Sequence, residues 1–498
     1  RFSFISKLNK KVLLLISTIF ILVFSILAFV LSSSDKSPAR TYTNNTQYNF
    51  DQYANELFSS QLSGDWLSLH FYLEHPEDWN LDTSTPTFGE YDFQSMQESQ
   101  DYYINQINYL KSINYKELYP SQQLTYDTLM SSFTSQLDFG DLCLCSQTLS
   151  PTTGLQAQLP VLLSEYAFNT QKDIENYLIL LSQLEDYFEK ICNFQILKAQ
   201  NNSFISTFCC DKIINQCADF IGEKNIKENL LYSSFENRIS SAGFLSRKEK
   251  EEYINKNTTL LERSVIPAYQ LIISTLSDLK QKGFCKNEEG LCKLANGKTY
   301  YEYLVRSYTG SSKNVLEQKA MIQNQLAKDM RTMYSLLNVS PEIEEKFSSI
   351  KENKNKPEDI LNQLSKKAAK DFPVEENYPF HIKYVDKSLE KHLSPAFYMS
   401  PPIDSDSKNM IYINNASPNT SQNLFTTLAH EGIPGHMFQS NFFAGTNPLP
   451  IRHLLNFGGY SEGWATYTEL LSYHYEYDDN QLANALACKH YCIINCIF

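Results

Sequence analysis

The sequence predicts a mainly α-helical protein with one short β-sheet, preceded by a helix that crosses a membrane. Long stretches between residues 49 and 337 repeat apolar residues at helical spacing and show almost no strand pattern. Two short apolar runs on either side of residue 400 have the boundaries typical of strands. A run of 20 uncharged residues near the N-terminus is long enough to span a bilayer.

The first element is the apolar segment 12–31, which follows three lysines. Basic residues before an apolar run of this length favour a signal anchor, with the bulk of the chain outside the cytoplasm. A cleaved signal peptide is the alternative, but no small-residue cleavage site is evident before Ser32. We therefore predict a transmembrane anchor within residues 1–31, followed by a polar linker over residues 32–48.

The next part of the chain has apolar residues at intervals of three and four. In one stretch the apolar side chains Ile174, Tyr177, Leu178 and Leu181 share a helix face. The same pattern predicts helices over residues 49–73, 95–114, 120–137, 172–200, 208–220, 246–282 and 314–337. We divide the chain into a helical N-terminal part, residues 49–310, and a second part, residues 311–498, which carries the motifs described below.

The predicted strands are residues 380–385 and 409–414, which are bounded by Pro and by Asn or Asp. They come shortly before the densest group of chemically active side chains in the chain. An edge strand in that place can hold an extended peptide by backbone hydrogen bonds. A small structural hairpin is an equally good interpretation.

Composition excludes one class of partner. The chain has a formal net charge of −13, whereas a protein that binds nucleic acid needs clustered Lys and Arg to contact phosphates. We therefore expect no nucleic-acid partner.

The 498 residues, of which 42% are hydrophobic, suffice for a large core. Among the eleven cysteines, Cys285 and Cys292 flank a turn-like loop, and we predict a disulfide between them.

The chemically dense group is His430, Glu431 and His436. Six positions correspond to about 240° around an undistorted helix, so a straight helix would point the two imidazoles apart. Pro434 and Gly435 lie between them. Proline breaks helical hydrogen bonding and glycine permits unusual backbone dihedrals. We predict that the entering helix breaks after Glu431 and that the break brings His436 back toward His430.

A second acidic segment begins 26 residues after His436. We predict that Ser461 caps a helix carrying Glu462 and Glu469, which are seven positions apart and therefore on one face. A catalytic zinc ion takes three ligands from His nitrogens and carboxylate oxygens and keeps a fourth position for water. Two histidines and one of these acids would complete such a set. The other acid could orient a ligating histidine through a hydrogen bond.

The segments HEGIPGHMFQ and SEGWATYTE resemble the paired motifs HExxPGHxxQ and EGWAxYxE of a large family of bacterial proteins catalogued as a domain of unknown function. That family is grouped with zinc metallopeptidases whose third ligand is a downstream Glu. The resemblance implies that His430, His436 and Glu462 ligate Zn²⁺ and that Glu431 is the general base. It also implies a large helical metallopeptidase-like fold with a deep cleft. From the position of the two strand-like runs, we expect the short sheet to lie near the zinc site.

Members of that family continue well past the second motif, so we expect this chain to be truncated at its C-terminus. The leading prediction is an extracytoplasmic, membrane-anchored zinc metallopeptidase that hydrolyses peptides with metal-activated water. The alternative is a non-catalytic binding protein or degenerate remnant that lacks the C-terminal helices of the site. A di-iron protein is disfavoured, because neither Glu431 nor Glu462 is followed by His three positions later.

Three more residues are candidates for contact with substrate or with the ligands. Glu469 is the acid expected to orient a ligand. Tyr398 and Tyr460 carry hydroxyls that could donate a hydrogen bond to an oxyanion close to the metal. Packing is the commoner role of a tyrosine in a helical protein, and it stays the alternative for both.

Overall fold

The computed structural model describes residues 40–497, apart from gaps at residues 80, 82–84, 90, 92, 223–224, 351–354, 375–377, 386, 388–389, 391–392, 406 and 417–423. The predicted transmembrane anchor lies outside the described residues, as do residues 32–39 of the predicted linker. Within the described ranges, no helix combines the length and the apolar character needed to cross a membrane.

Helices make up most of the described chain, as predicted. The α-helices are α1 Asn45–Ser63, α2 Trp66–Tyr72, α3 Phe93–Ser112, α4 Pro120–Phe139, α5 Leu155–Glu165, α6 Gln171–Ser182, α7 Leu184–Gln200, α8 Thr207–Ile221, α9 Leu230–Ser241, α10 Arg247–Leu260, α11 Ile266–Gln281, α12 Gly297–Thr309, α13 Val315–Val339, α14 Glu342–Ser349, α15 Pro357–Ala368, α16 Leu424–Glu431, α17 His436–Gly445, α18 Gly458–Glu476 and α19 Asn480–Ile497.

The helical stretches found in the sequence are confirmed, with three corrections to their continuity. The stretch 49–73 forms two helices, α1 and α2, which are separated by Gly64 and Asp65. The stretch 172–200 forms two helices, α6 and α7, which meet at Gln183. The stretch 246–282 is helical throughout, but a π-helical segment at Leu261–Val265 joins α10 to α11. Helix starts follow local capping chemistry: the Ser246 side chain accepts a hydrogen bond from the Glu249 backbone and opens α10 in this way.

The largest hydrophobic core joins the N-terminal helices to a segment that lies between the two sequence motifs. It includes Phe50 of α1 and Tyr269 of α11, both almost fully buried, and it also contains Leu449 and Ile451. Helix α11 packs against α7 and α8 within this core. The N-terminal helices therefore support the region that carries the motifs. The division of the chain at residue 310 stays a prediction.

A three-stranded sheet lies beside this core. Its strands are β1 Phe380–Tyr384, β2 Ala396–Met399 and β3 Asn409–Ile413, in the spatial order β1-β3-β2. β1 runs parallel to β3, and β2 runs antiparallel to it. The two predicted strands are confirmed as β1 and β3, whereas β2 was not predicted. β2 forms an edge of the sheet, and α16 packs against it.

The two faces of the sheet contact different cores. Met410 and Tyr412 of β3 pack with the large N-terminal core. Ile411 and Ile413, which alternate with them, belong to a second core that contains Leu428 of α16 and part of α15. The sheet thus separates the N-terminal helices on one side from the helix with the first motif on the other.

Helix α18 corrects the predicted cap of the second motif. The helix begins at Gly458, so Ser461 lies inside its first turn, where the hydroxyl donates to the carbonyl of Gly458. The earlier start depends on close packing against α12: a Cβ on Gly459 would lie 2.6 Å from the Cα of Thr309. Glycine is therefore needed where the two helices touch.

The predicted disulfide is also wrong. Cys285 and Cys292 are both free thiols. The Cys292 thiol donates to the carbonyl of Glu289, within its own turn. Cys285 lies beside Cys210 of α8 instead, and the two thiols are hydrogen-bonded to one another. The spacing of residues 285 and 292 indicated a turn, but the neighbour of Cys285 comes from a distant helix.

Candidate metal centre

The break predicted after Glu431 is present. Helix α16 ends at Glu431, the Ile433–Pro434 peptide bond is cis, and α17 begins at His436. The turn is tight enough that a Cβ on Gly435 would lie 1.8 Å from the carbonyl oxygen of His430. This close approach requires glycine, and it brings the two imidazoles together. Their ring centroids are 4.8 Å apart, with planes inclined at 85°.

Helix α18 adds the third side chain. The Glu462 carboxylate lies between the two rings: Oε2 is 3.5 Å from Nε2 of His430, and Oε1 is 3.6 Å from Nε2 of His436. One ligand atom from each of the three residues falls within 4.8 Å of the others. Among the described residues, this is the only group of three or more His, Cys, Asp or Glu side chains with such proximity.

The spacing of these atoms suits zinc. Ligand atoms about 2.0–2.2 Å from a tetrahedral zinc ion lie about 3.4 Å from one another. The two distances from Glu462 to the imidazole nitrogens are close to that value, and the His₂Glu donor set is one that catalytic zinc sites use. The Glu462 side chain is 63% exposed, whereas those of His430 and His436 are 20% and 16% exposed. The cluster is therefore open to solvent on its Glu462 side.

Charge pairing within the cluster is strong. Hydrogen bonds from His430 and His436 hold the pKa of Glu462 far below its usual range. Burial lowers the pKa of His430, but hydrogen bonds to Glu462 and Glu469 outweigh burial and raise this pKa to about 10. The acidic side chains thus stabilise a positive charge at this point. A bound cation would take the place of the His430 proton.

Glu431 lies beside the cluster but outside the set of three. Burial raises its pKa, while the charges of His430 and His436 oppose that shift. Its Oε2 accepts a hydrogen bond of 2.9 Å from the backbone N–H of Tyr398. The edge strand β2 therefore orients this carboxylate. A carboxyl group with a raised pKa, close to a cation site and not consumed as a ligand, is suited to accept and deliver a proton.

Glu469 contacts the side of the His430 ring that faces away from Glu462. Its Oε2 lies 3.2 Å from Nδ1 of His430. Glu469 is on the same face of α18 as Glu462, seven residues further along the helix. Its Oε1 lies 3.6 Å from Nε2 of His490, and Nδ1 of His490 is 3.1 Å from the hydroxyl of Tyr473. This chain of contacts fixes the imidazole of His430 so that Nε2 faces the cluster.

Sequence reasoning missed His490, Tyr473 and Trp464. The first two depend on the packing of α19 against α18, which no local pattern announces. Trp464 lies in the second motif, and its indole N–H donates to the carbonyl of Pro434 at 2.8 Å. That bond links α18 to the turn between the two histidines. The position of Trp464 in the second motif marked it as a candidate, but nothing in the sequence indicated that it would bond to Pro434.

The hydroxyls of the two candidate tyrosines are not placed at the cluster by any contact that the described residues show. The Tyr398 hydroxyl donates to Oδ1 of Asn409 at 2.6 Å, and burial raises its pKa to about 12. It is the backbone N–H of Tyr398 that reaches the site, through Glu431. Tyr460 is 76% exposed in the first turn of α18. Contact of these tyrosines with substrate stays a prediction.

Two solved bacterial structures share the fold, each described as a "putative lipoprotein". The protein from Colwellia psychrerythraea is 17% identical, with a TM-score of 0.76 over 89% of this chain and 80% of that chain. The protein from Shewanella oneidensis, of unknown function, is 14% identical, with a TM-score of 0.54 over 88% of this chain and 80% of that chain. No curated protein matches the sequence.

A family model matches residues 85–492, a span that contains the sheet, the three clustered side chains and Glu469. The family is described as "Bacterial protein of unknown function (DUF885)". Because the match extends over most of the chain, the protein belongs to this bacterial family of unknown function.

Proposed function

We propose that the protein is a zinc metallopeptidase that hydrolyses peptides. The proposal rests on the convergence of His430, His436 and Glu462 from three helices. Beside them lies the carboxyl group of Glu431, which has a raised pKa and is outside the ligand set. Bound Zn²⁺ would supply a Lewis acid that polarises the scissile carbonyl and lowers the pKa of water. The chain's own residues supply the other functions.

Glu431 is the proposed general base. Its raised pKa favours uptake of a proton from water, and the same group can then deliver that proton to the leaving amine. Glu469 and His490 act as positioning residues, because they hold His430 in one tautomer and orientation. Trp464 fixes the distance between α18 and the turn that carries His436.

The edge strand β2 is suited to hold the substrate. Asn414 N–H donates to the carbonyl of Pro395, so in this antiparallel pair residues 395, 397 and 399 direct their backbone groups toward β3. Residue 398 directs its groups away from the sheet, and its N–H meets Glu431. A peptide that lies extended along this edge passes the general base. The carbonyl of residue 398 can accept a backbone hydrogen bond from it, since the N–H of the same residue is bonded to Glu431.

The proposed location is outside the cytoplasm, with the chain anchored to a membrane. The apolar segment 12–31 and the lysines before it support this proposal. Peptides in that compartment are the proposed substrates. Because the chain carries a net charge of −13, we propose no nucleic-acid partner.

The test is digestion of an unstructured oligopeptide library by the zinc-loaded protein and by its Glu431→Gln variant. The variant should keep its zinc, because Glu431 is outside the ligand set, and should cleave about 10²- to 10⁴-fold more slowly, as expected for loss of a general base. Glu342→Gln, an exposed acid on α14, is the matched control and should cleave at the wild-type rate.

Undiminished cleavage by Glu431→Gln would contradict the proposed mechanism. A wild-type protein that binds one zinc ion and holds peptides without cleaving any of them would favour the alternative, a binding protein that retains the fold of its family.

A further inference from the structure

A second cleft lies on the side of the sheet that faces the N-terminal helices. Its volume is about 860 Å³, and its walls come from the end of α5, from α9 and from the strands. Met410 and Tyr412 of β3 line it, and these are the side chains that face away from α16. None of the three clustered side chains lines this cleft. The strand β2 separates the cleft from Glu431.

The cleft carries positive charge in an acidic protein. Arg238, Lys383 and Lys408 line it together with one acid, Glu165. The Lys383 ammonium lies 2.7 Å from the Glu165 carboxylate, so this pair is neutral. Arg238 and Lys408 leave the cleft with a formal charge of +2, whereas the whole chain carries −13. Here His70 adds no charge, because burial lowers its pKa to about 3.

Arg238 is held in place without a carboxylate partner of its own. Its guanidinium donates to the carbonyl oxygens of Tyr166 and Ser234, both uncharged acceptors. The group lies over the ring of Phe168, with its central carbon 4.3 Å from the ring centroid. Among the described residues, no acid lies within ion-pairing distance of Arg238 or Lys408. Arg238 is half-buried, and the one carboxylate that acts on its charge, Glu165, is shared with Lys383. One carboxylate between two cations leaves positive charge that an anion can neutralise.

The other walls are apolar. Phe71, Phe168, Phe244 and Met399 line the cleft, and Phe244 is 49% exposed. A small inorganic anion would leave these side chains facing water. A ligand that joins a carboxylate to an apolar body would cover them and neutralise the guanidinium at the same time.

We propose that this cleft binds a carboxylate carried on an apolar body, of the kind found at the end of a short peptide with a large last residue or on an acidic side chain beside an apolar one. The guanidinium of Arg238 receives the carboxylate, Lys408 contributes a second positive charge, and the aromatic side chains cover the apolar part. The site is distinct from the metal centre and does not depend on hydrolysis there.

The test is calorimetric titration at low salt with three peptides and with inorganic phosphate. N-acetyl-Leu-Phe carries its carboxylate at the chain end, N-acetyl-Phe-Glu-amide carries it on a side chain, and N-acetyl-Leu-Phe-amide carries none. The protein bears Glu431→Gln and is treated with a chelator, so that neither hydrolysis nor binding to a metal contributes to the signal.

At least one of the two carboxylate peptides should bind, and the comparison between them tells which source the cleft prefers. The amide should bind at least about tenfold more weakly, as expected for loss of a charge-assisted hydrogen bond. Arg238→Lys and Lys408→Gln should each weaken binding by about tenfold. Lys408 is exposed, so Lys408→Gln tests the site even if the half-buried Arg238 is needed for folding. The control Lys319→Gln, an exposed lysine of α13, should leave the affinity unchanged.

Equal affinity for N-acetyl-Leu-Phe and its amide would overturn the proposal, as would wild-type affinity in Lys408→Gln. Phosphate that competes as well as the peptides would overturn the assignment of an apolar carboxylate. Because the metal centre is disabled throughout, none of these results depends on whether the protein is a peptidase.

Discussion

His70 and His430 are both largely buried, on opposite sides of the sheet, and their surroundings act on them in opposite directions. At His70 burial lowers the pKa to about 3, and the charge of Arg238 adds to that effect. The ring stacks on Tyr166, and its Nε2 accepts the N–H of Ala167. At His430 burial is outweighed by hydrogen bonds to two carboxylates, and the pKa rises to about 10.

Because both rings are largely buried, the difference between their pKa values comes from their charge partners. His70 is a neutral structural ring next to a cationic cleft. His430 lies between Glu462 and Glu469, where a cation is favoured. The surroundings of the two rings differ in the same way. Arg238 and Lys408 lie on the N-terminal side of the sheet, and Glu462 lies on the side with the motifs. One sheet thus separates a site suited to anions from a site suited to a cation.

Gly435→Ala should separate His430 from His436 and so disrupt the cation site. The added methyl group would meet the backbone carbonyl of His430, which cannot move aside as a flexible side chain can. We expect a loss of about 1–3 kcal/mol in the free energy of unfolding, as for other overpacked sites, together with loss of zinc binding. Urea denaturation and metal analysis of the variant measure both.

Gly463→Ala is the matched control for this substitution. Gly463 is in the interior of α18, and a Cβ there would meet nothing within 4 Å. Replacing a helical glycine in open space should raise stability by about 0.5–1 kcal/mol and leave zinc binding intact. Equal effects of the two alanines would mean that the turn at Gly435 is not what brings the histidines together.

His490→Gln should weaken the support of His430 without changing any of the three proposed zinc ligands. The contact with Glu469 would be lost or lengthened, and Glu469 would hold His430 less firmly. Loss of such a supporting partner typically costs 10- to 100-fold in metal affinity, and we expect a decrease in this range. Competition with a chromophoric zinc chelator measures it.

Tyr473→Phe provides the graded control, because it removes only the hydroxyl at the end of the same chain of contacts. Its effect on zinc affinity should be smaller than that of His490→Gln. Unchanged affinity in His490→Gln would show that Glu469 holds His430 without help from α19.

His70→Gln should change how stability depends on pH. In the unfolded chain His70 takes up a proton as the pH falls below about 6.5, whereas the folded protein does not protonate it until the pH is near 3. The unfolded state therefore binds more protons in this window, and stability falls as the pH falls. Between pH 7 and pH 5.5, this residue should account for about 1 kcal/mol of the loss.

Urea denaturation at the two pH values gives the loss in the free energy of unfolding for the wild type and for His70→Gln. Subtracting one loss from the other cancels the contribution of the other titrating groups. Equal losses on acidification in both proteins would show that His70 does not remain neutral in the folded state.

The sequence was informative about the site where local chemistry decides the geometry. Pro434 and Gly435 predicted the break that reunites the histidines, and the seven-residue spacing of Glu462 and Glu469 placed both acids on the face that meets His430. Strands β1 and β3 were recognisable because each is an apolar run with Pro, Asn or Asp at its boundary.

Features that depend on tertiary packing were not predictable in this way. β2 has four residues and follows Pro395, too short a run to indicate a strand, yet it orients Glu431. His490 reaches Glu469 only because α19 folds back on α18. Ser461 looked like a helix cap, but the contact of Gly459 with Thr309 allows the helix to start earlier. The cationic cleft joins residues from α9 and from the strands, which lie far apart in sequence.

Zinc stoichiometry tests whether three side chains from α16, α17 and α18 hold one metal ion. The protein should be loaded with zinc, freed of excess by gel filtration and measured by elemental analysis, beside Glu462→Gln and a control, His474→Gln, on the same helix. We expect one zinc ion per chain in the wild type and in the control, and far less than one in Glu462→Gln. Wild-type protein without zinc, or Glu462→Gln that retains a full equivalent, would contradict this expectation.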